Sequence, residues 1–278
     1  GIANADLQAK LPAMVEAGLL RIYEYQHPDG GWGWWENDGS EPWMSAYAVH
    51  ALLQARKSGF TISQEKLQRG LGYLTQCLRQ GRPNEGVRGY CLYVLALAGD
   101  GHTVAEKLAV GSGPAPAVRD DHALATYALA AFLIGQRQMA DDYLDRLWTN
   151  VQGTTDALHW GSRQGGAWSD TETTAMAMLA TCTIRPSESR LAPVARWLML
   201  RRQGDHWYST RDTAMVLYAM TAYLKLSKEL KPDYTVSVSV NGSHIRKQRM
   251  TPASVWQPEA QVAFPLAALS TGQNTLEI

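Results

Sequence analysis

Histidines, cysteines and paired carboxylates build most reactive sites, so their spacing is weighed first. His27, His50, His102, His122, His159, His206 and His244 are scattered, without the H-E-x-x-H spacing that sets two imidazoles on one helix face around a metal. Cys77, Cys91 and Cys182 begin "CLRQ", "CLYV" and "CTIR" among apolar neighbours, as suits buried inert thiols, and no C-x-x-C pair is present. No serine occupies a G-x-S-x-G elbow, and "GDG" and "GSGP" lack the strand-to-helix setting of a phosphate site. In "SDTETTAMA", Asp170 and Glu172 lie two apart, and on a helix such residues point in different directions. Asp170 suits a helix N-terminus, where a carboxylate meets the positive end of the dipole. Neither a metal nor a cofactor is expected. One stretch stands out: "YQHPDGGWGWW", residues 25–35, combines three glycines with three tryptophans. A ligand pocket, a stacking platform and a structural turn are all open there.

Composition narrows the class. The 278 residues are 45% hydrophobic and 19% charged, ordinary for a chain that buries a large core. Twenty-six basic side chains balance 26 acidic ones, and the one basic run, "IRKQR" at 245–249, is short. A nucleic-acid surface is therefore not expected, since it needs a concentrated basic face. No apolar stretch approaches the length of a membrane span, so direct membrane insertion is not expected either. The opening "GIANADLQAK" has no initiator Met and reads like an excised piece of something longer.

The elements that must position these residues are helices. From Leu7 to about Leu230, segments such as "LPAMVEAGLLRIYEYQ", "WMSAYAVHALLQARKSG" and "RDTAMVLYAMTAYLKLSK" carry apolar residues at helical spacing between Gly, Pro or polar breaks. "DHALATYALAAFL" and "ETTAMAMLAT" are apolar on almost every side, so they belong to an inner layer wrapped by amphipathic outer helices. Ser63, Ser169 with Asp170, and Ser209 with Thr210 supply capping oxygens at helix starts. "GSGPAPA" at 111–117 should be a surface connection. After Lys231-Pro232 the pattern alternates, with a hairpin signal at Asn241-Gly242 and further short strands in "AQVAFPL" and "NTLEI". Residues 1–230 are expected to form the helical domain and 231–278 a β segment of an adjoining β-sandwich domain.

The tryptophan stretch recurs. Gln26 precedes Gly30-Gly31-Trp32, Gln164 precedes Gly165-Gly166-Ala167-Trp168, and Gln203 precedes Gly204-Asp205-His206-Trp207; an Ala/Thr-rich helix follows each. Such a unit reads as an outer helix ending near Gln, a glycine turn covered by Trp, and re-entry as an inner helix. Stacked units would close a double ring. These turns are architecture first, with ligand contact by one of them as the alternative.

Gln-turn-Gly-x-Trp repeats feeding Ala-rich helices resemble the α/α-toroid superfamily of terpene cyclases, protein prenyltransferases and the thioester domains of alpha-2-macroglobulin and complement proteins. The cyclase pattern Asp-x-Asp-Asp-Thr-Ala is matched only by "SDTETTAMA", where Thr173 replaces the adjacent acid, and the zinc pattern of prenyltransferases is not matched. The thioester domain fits along the whole chain. "YQHPDGGWGWW", "PWMSAYAVHALLQARKSG", "SDTETTAMAMLA" and "WYSTRDTAMVLYAM" resemble its segments, with Arg211 where Gln is usual and a wording similar to bacterial members. The resemblance implies an α/α toroid followed by β structure, and a protein that inhibits endopeptidases by trapping them rather than an enzyme. A cyclase-like enzyme with a hydrophobic cavity is the rival, and a thioester-less interaction module a third reading.

The chemistry of that family rests on Cys-x-Glu-Gln, and none of the three cysteines begins it. The resemblance puts the motif just upstream of Gly1, or the protein belongs to a subgroup without it; a fragment is the favoured expectation. On this reading Trp32, Trp34, Trp35, Trp43 and Tyr47 are candidates for the wall of a shielded reactive site. Gln26, Gly30, Gly31, Gln164, Gly166, Trp168, Gln203, Gly204 and Trp207 form the structural turns. Proteases and other domains of the same chain are the implied partners. The implied location is periplasmic or extracellular, with a lipid anchor possible in the full-length protein.

Overall fold

The computed structural model describes residues 5–109, 118–161, 168–227, 229–254, 263 and 265–278, with side chains from residue 9 onward. Gln164, Gly165, Gly166, Ala167 and the "GSGPAPA" connection lie outside the described residues, as does most of "AQVAFPL". The chain divides into two compact units. One is Lys10–Tyr223, and the other joins Gly1–Ala9 to Leu224–Ile278.

Ten helices are described: α1 (Ala5–Glu24), α2 (Pro42–Lys57), α3 (Gln64–Arg79), α4 (Glu85–Ala98), α5 (Gly101–Lys107), α6 (Asp121–Leu133), α7 (Arg137–Thr149), α8 (Asp170–Ile184), α9 (Leu191–Leu200) and α10 (Thr210–Ser227). The even-numbered ones form the inner layer. In α6 every residue from Asp121 to Ala131 is buried, and in α8 nearly every one. No polar face is left for water, so other helices must surround them. The odd-numbered helices are outer. In α3 the buried set Leu67, Gly70, Tyr73, Leu74, Cys77 and Leu78 follows the three-four spacing of a single stripe, and Tyr143, Leu144, Leu147 and Trp148 repeat it in α7.

The inner helices run parallel and close into a ring. Helix α4 packs on α2 and α6, and α6 on α8. Glu85, at the start of α4, accepts from the Arg119 and Asp120 amides that lead into α6. Ser169, the N-cap of α8, donates to Asp212 in the first turn of α10. The His50 ring in α2 lies 5.4 Å from the Tyr218 ring in α10, which completes the circuit. The unit is an α/α toroid.

Ser63, Ser169 and Ser209 each accept from an amide three residues on, as capping requires. Between α7 and α8 a small hairpin, β1 (Gln152–Thr154) with β2 (Ala157–His159), departs from the helical pattern. Its strands are three residues long, too short for an alternating signal.

The second unit holds β3 (Tyr234–Val240), β4 (Ser243–Met250) and β5 (Leu276–Glu277) in the order β4-β3-β5, all antiparallel. Asn241 and Gly242 both have positive φ, 50° and 77°, as a two-residue hairpin turn demands.

Candidate functional site at the mouth of the inner ring

Three tryptophans bracket the outer helices to the inner ones in the same way. The Trp32 indole donates to the Ile22 carbonyl near the end of α1 (2.7 Å), and its amide donates to Ser45 Oγ in α2 (2.8 Å). Trp160 donates to Leu147 O of α7 (2.7 Å) and its amide to Thr174 Oγ1 of α8 (3.0 Å). Trp207 donates to Leu198 O of α9 (2.7 Å) and its amide to Thr213 Oγ1 of α10 (3.0 Å). Carbonyls in the last turn of a helix lack the full set of partners within it, and these indoles add one, beside the Asn150 and Arg201 amides that also donate to Leu147 O and Leu198 O.

The second copy of the repeat therefore centres on Trp160, which corrects the sequence register that put Trp168 there. The hairpin inserted before α8 shifts the bracket, so the Gly-Trp spacing points to the wrong tryptophan. Thr174, fourteen residues after Trp160, was the available signal, since Ser45 and Thr213 hold the same place in their own copies.

Glycine is required at the first turn. Gly30 has φ 91°, and a Cβ there would stand 2.5 Å from the Arg69 carbonyl. Gln26 spans the turn, donating from Nε2 to Gly30 O (3.0 Å) and Lys66 O (2.8 Å). At Gly31 a Cβ would meet Ser40 at 2.6 Å. In the third copy Gly204 has φ 65°, and Gln203 and His206 form a two-bond bridge around it.

Trp168 instead lies at the ring mouth, where the N-termini of the inner helices converge. Its indole stacks on His122 of α6 with centroids 4.1 Å apart and planes within 10°. Rings follow one another inward from the surface: Trp34 meets Trp43 edge-on at 5.5 Å, Trp43 meets Tyr47 at 6.2 Å, and Tyr47 meets Tyr90 at 4.9 Å. Tyr90 lies 5.9 Å from Trp168. Trp32 is buried in its bracket, Trp43 and Tyr47 are half-buried, and Trp34 and Trp35 are 63% and 74% exposed.

Beneath those rings is a polar cluster that sequence spacing did not reveal. Glu172 of α8, fully buried, accepts from the Tyr47 hydroxyl and pairs with Arg211 Nε at 2.7 Å. The Arg211 guanidinium sits 5.1 Å from the Trp168 ring centre, 5.7 Å from Trp43 and 5.9 Å from Tyr47, all within cation–π range. His122 Nε2 lies 4.0 Å from Glu172 Oε1, and both His122 nitrogens are buried without a hydrogen-bond partner among the described residues.

Burial raises the Glu172 pKa to about 8, more than the Arg211 charge lowers it. It lowers His122 to about 3, helped by the nearby Arg211 charge, and His50 to about 4, helped by Lys57. Both imidazoles are neutral at pH 7. Gln54 donates to His50 Nε2 (3.0 Å), so Nδ1 carries the proton and donates to the Tyr90 hydroxyl oxygen at 2.7 Å.

The loop carrying Trp34 and Trp35 is tied down from below. His27 donates from Nε2 to the Trp35 carbonyl (2.8 Å), and Asp38 accepts from the Trp34 amide (2.8 Å). Cys77, Cys91 and Cys182 are free and buried, and no cluster of three or more potential metal ligands occurs among the described residues. No described helix is long and apolar enough to cross a membrane.

Three comparisons bear on this architecture. The family model of the A-macroglobulin TED domain matches residues 2–84 and 115–223. Alpha-2-macroglobulin of Thermotoga maritima is 26% identical over 219 residues, covering 78% of this chain, which spans 12% of that relative's length. The native conformation of E. coli alpha-2-macroglobulin superposes with a TM-score of 0.67 at 16% identity, over 89% of this chain and 16% of that one. Trypsin-activated E. coli alpha-2-macroglobulin gives a TM-score of 0.61 at 17% identity, over 89% and 17%. At these identities the structural likeness speaks for the fold.

Proposed function

The chain belongs to the A-macroglobulin TED domain family, and from that premise we propose that it is the toroid part of an alpha-2-macroglobulin-like endopeptidase inhibitor. Residues 1–230 are its thioester-type domain, and 231–278 begin an adjoining β-sandwich domain. In this reading a Cys-x-Glu-Gln motif precedes Gly1 in the full-length protein. A protease that cuts the inhibitor is then captured covalently. Its surface amine attacks the acyl carbon, an amide forms, and the thiol leaves as the amine gives up a proton. The role is stoichiometric trapping rather than turnover.

The observation that carries this reading is the run of rings from Trp34 to His122 at the end of the ring where the inner helices begin. An activated acyl group survives only where water is excluded, and aromatic side chains provide bulky apolar cover. Trp32, Trp34, Trp35, Trp43 and Tyr47 are proposed as the residues around that site. The trypsin-activated form of the E. coli relative supports proteases as partners. A periplasmic or extracellular location with a lipid anchor goes with this role.

Incubating the full-length protein with trypsin and separating the products under denaturing, reducing conditions tests the proposal. A covalent adduct that disappears after pretreatment with methylamine is expected, together with one thiol released per chain. No adduct and no released thiol would favour a thioester-less interaction module.

A further inference from the structure

The described tryptophans divide by what their rings meet. Trp32, Trp160 and Trp207 are the bracket indoles, buried and donating to helix carbonyls. Trp43 and Trp168 face the Arg211 guanidinium at 5.7 and 5.1 Å, Trp148 faces Arg190 at 4.0 Å, and Trp197 faces Arg201 at 4.9 Å. Trp34 and Trp35 belong to neither set. They are the most exposed of the described tryptophans, and among the described residues no cation lies over either ring. An indole face carries the negative end of the ring quadrupole and attracts a guanidinium or ammonium group. Outside the brackets this chain covers its other described indoles with arginine and leaves these two open.

The charge around the two rings is one-sided. From Gly30 to Ala55 there is no lysine or arginine, while Glu36, Asp38 and Glu41 are all exposed. Glu36 and Glu41 make no ion pair among the described residues. Arg69 is held beneath the loop by the His27 and Pro28 carbonyls at 2.8 and 2.9 Å, and Arg211 is held by Glu172 on the inner side. Indoles beside carboxylates attract basic side chains and disfavour acidic surfaces, anionic membranes and nucleic acid among them. The platform is also preformed. His27 and Asp38 fix the backbone of Trp35 and Trp34, and at Gly33 a Cβ would overlap the Asp38 carboxylate. Rings presented on a fixed backbone lose little freedom when a partner arrives.

We propose that Trp34 and Trp35, with Glu36 next to them in the chain, form a docking surface for a partner protein that presents neighbouring arginine or lysine side chains. Each cation lies over an indole face, and the Glu36 carboxylate completes the charge match. In the trapping role proposed above, this surface seats a basic face of the protease at the ring mouth. The docking itself concerns the loop alone and holds whether or not a thioester lies upstream.

Surface plasmon resonance on the immobilised full-length protein tests it. The probe is Ac-Arg-Gly-Arg-Gly-Arg-NH2, and the uncharged control is the same peptide with citrulline in place of each arginine. Wild type is expected to bind the arginine peptide saturably and about tenfold more tightly than the citrulline peptide. Trp34→Leu combined with Trp35→Leu should weaken binding about two- to fivefold per ring, and Glu36→Gln about two- to fivefold. Equal binding of the two peptides, or no saturable binding by wild type at about 10 mM, overturns the proposal. Wild-type affinity in the double leucine variant or in Glu36→Gln also overturns it. If Trp34→Leu disturbs Trp43, Trp35→Leu alone decides, because its ring meets no other ring among the described residues. Capture of phosphatidylglycerol vesicles without binding of the arginine peptide overturns it in favour of a membrane surface.

Discussion

Glu172, His122 and His50 together shape how stability depends on pH. A carboxyl raised to about 8 stays protonated in the folded chain while the unfolded chain releases its proton near 4.5. Its contribution is complete below pH 4.5 and is lost as pH rises toward 8. The two histidines act in the opposite sense. Unfolded imidazoles take up protons below 6.5, whereas folded His50 and His122 wait until about 4 and about 3, so their contribution is lost as pH falls. Between pH 4.5 and 6.5 the unfolded state gains two protons and the folded state keeps one, and stability from these groups rises with pH. From 6.5 to 8 the carboxyl acts alone and stability falls. Urea unfolding across this range should show a maximum near pH 6.5, with slopes of about 1.4 kcal/mol per pH unit on each side. Glu172→Gln should remove the alkaline decline and roughly double the acid slope. An unchanged alkaline limb would mean that Glu172 is ionised throughout.

At the scale of elements, close approach between inner helices depends on glycine in some places and not in others. A Cβ at Gly89 of α4 would stand 2.5 Å from Thr126 Oγ1 and under 3 Å from the Tyr127 ring, both on α6. Gly89→Ala should therefore cost about 1–3 kcal/mol by overpacking. Gly72 of α3 faces open space, and Gly72→Ala should instead stabilise by about 0.5–1 kcal/mol through helix propensity. Denaturation midpoints moving in opposite directions would verify both. The helices themselves were legible because their apolar period and serine caps are local: "DHALATYALAAFL" declares its all-round burial in its own thirteen residues. The turn around Gly30 was legible for the same reason. Trp160 was missed because it follows the β1–β2 hairpin rather than a glycine turn, so the Gly-Trp spacing singles out Trp168 instead. The pair of Glu172 with Arg211 was hidden more deeply, since only ring closure brings α2, α8 and α10 together at one end.

For the molecule as a whole, the proposed role makes the lifetime of a reactive acyl group the quantity to measure. Trp34 touches Trp43, while Trp35 contributes its carbonyl to His27 and leaves its ring in solvent. In a full-length protein carrying a thioester, Trp34→Ala is expected to shorten its half-life against water severalfold. Trp35→Ala should act less unless another domain covers it. Thiol release over time, followed with a colorimetric reagent, measures both. Unchanged half-lives in both variants would leave the two rings as packing and surface. Among the described residues the second unit forms a three-stranded β4-β3-β5 sheet, the kind of sheet that the adjoining-domain proposal extends with further strands.

The uneven burial of the tryptophans also equips the molecule with an intrinsic optical reporter. Among the described tryptophans, Trp34 and Trp35 are the two in open contact with water, and both belong to one loop anchored by His27 and Asp38. Their emission lies to the red of the buried indoles and is open to collisional quenchers such as iodide. Anything that settles on this loop would shift that red component and protect it from quenching, while the bracket tryptophans stay silent. Coverage of the ring mouth can thus be followed in unlabelled protein, in real time.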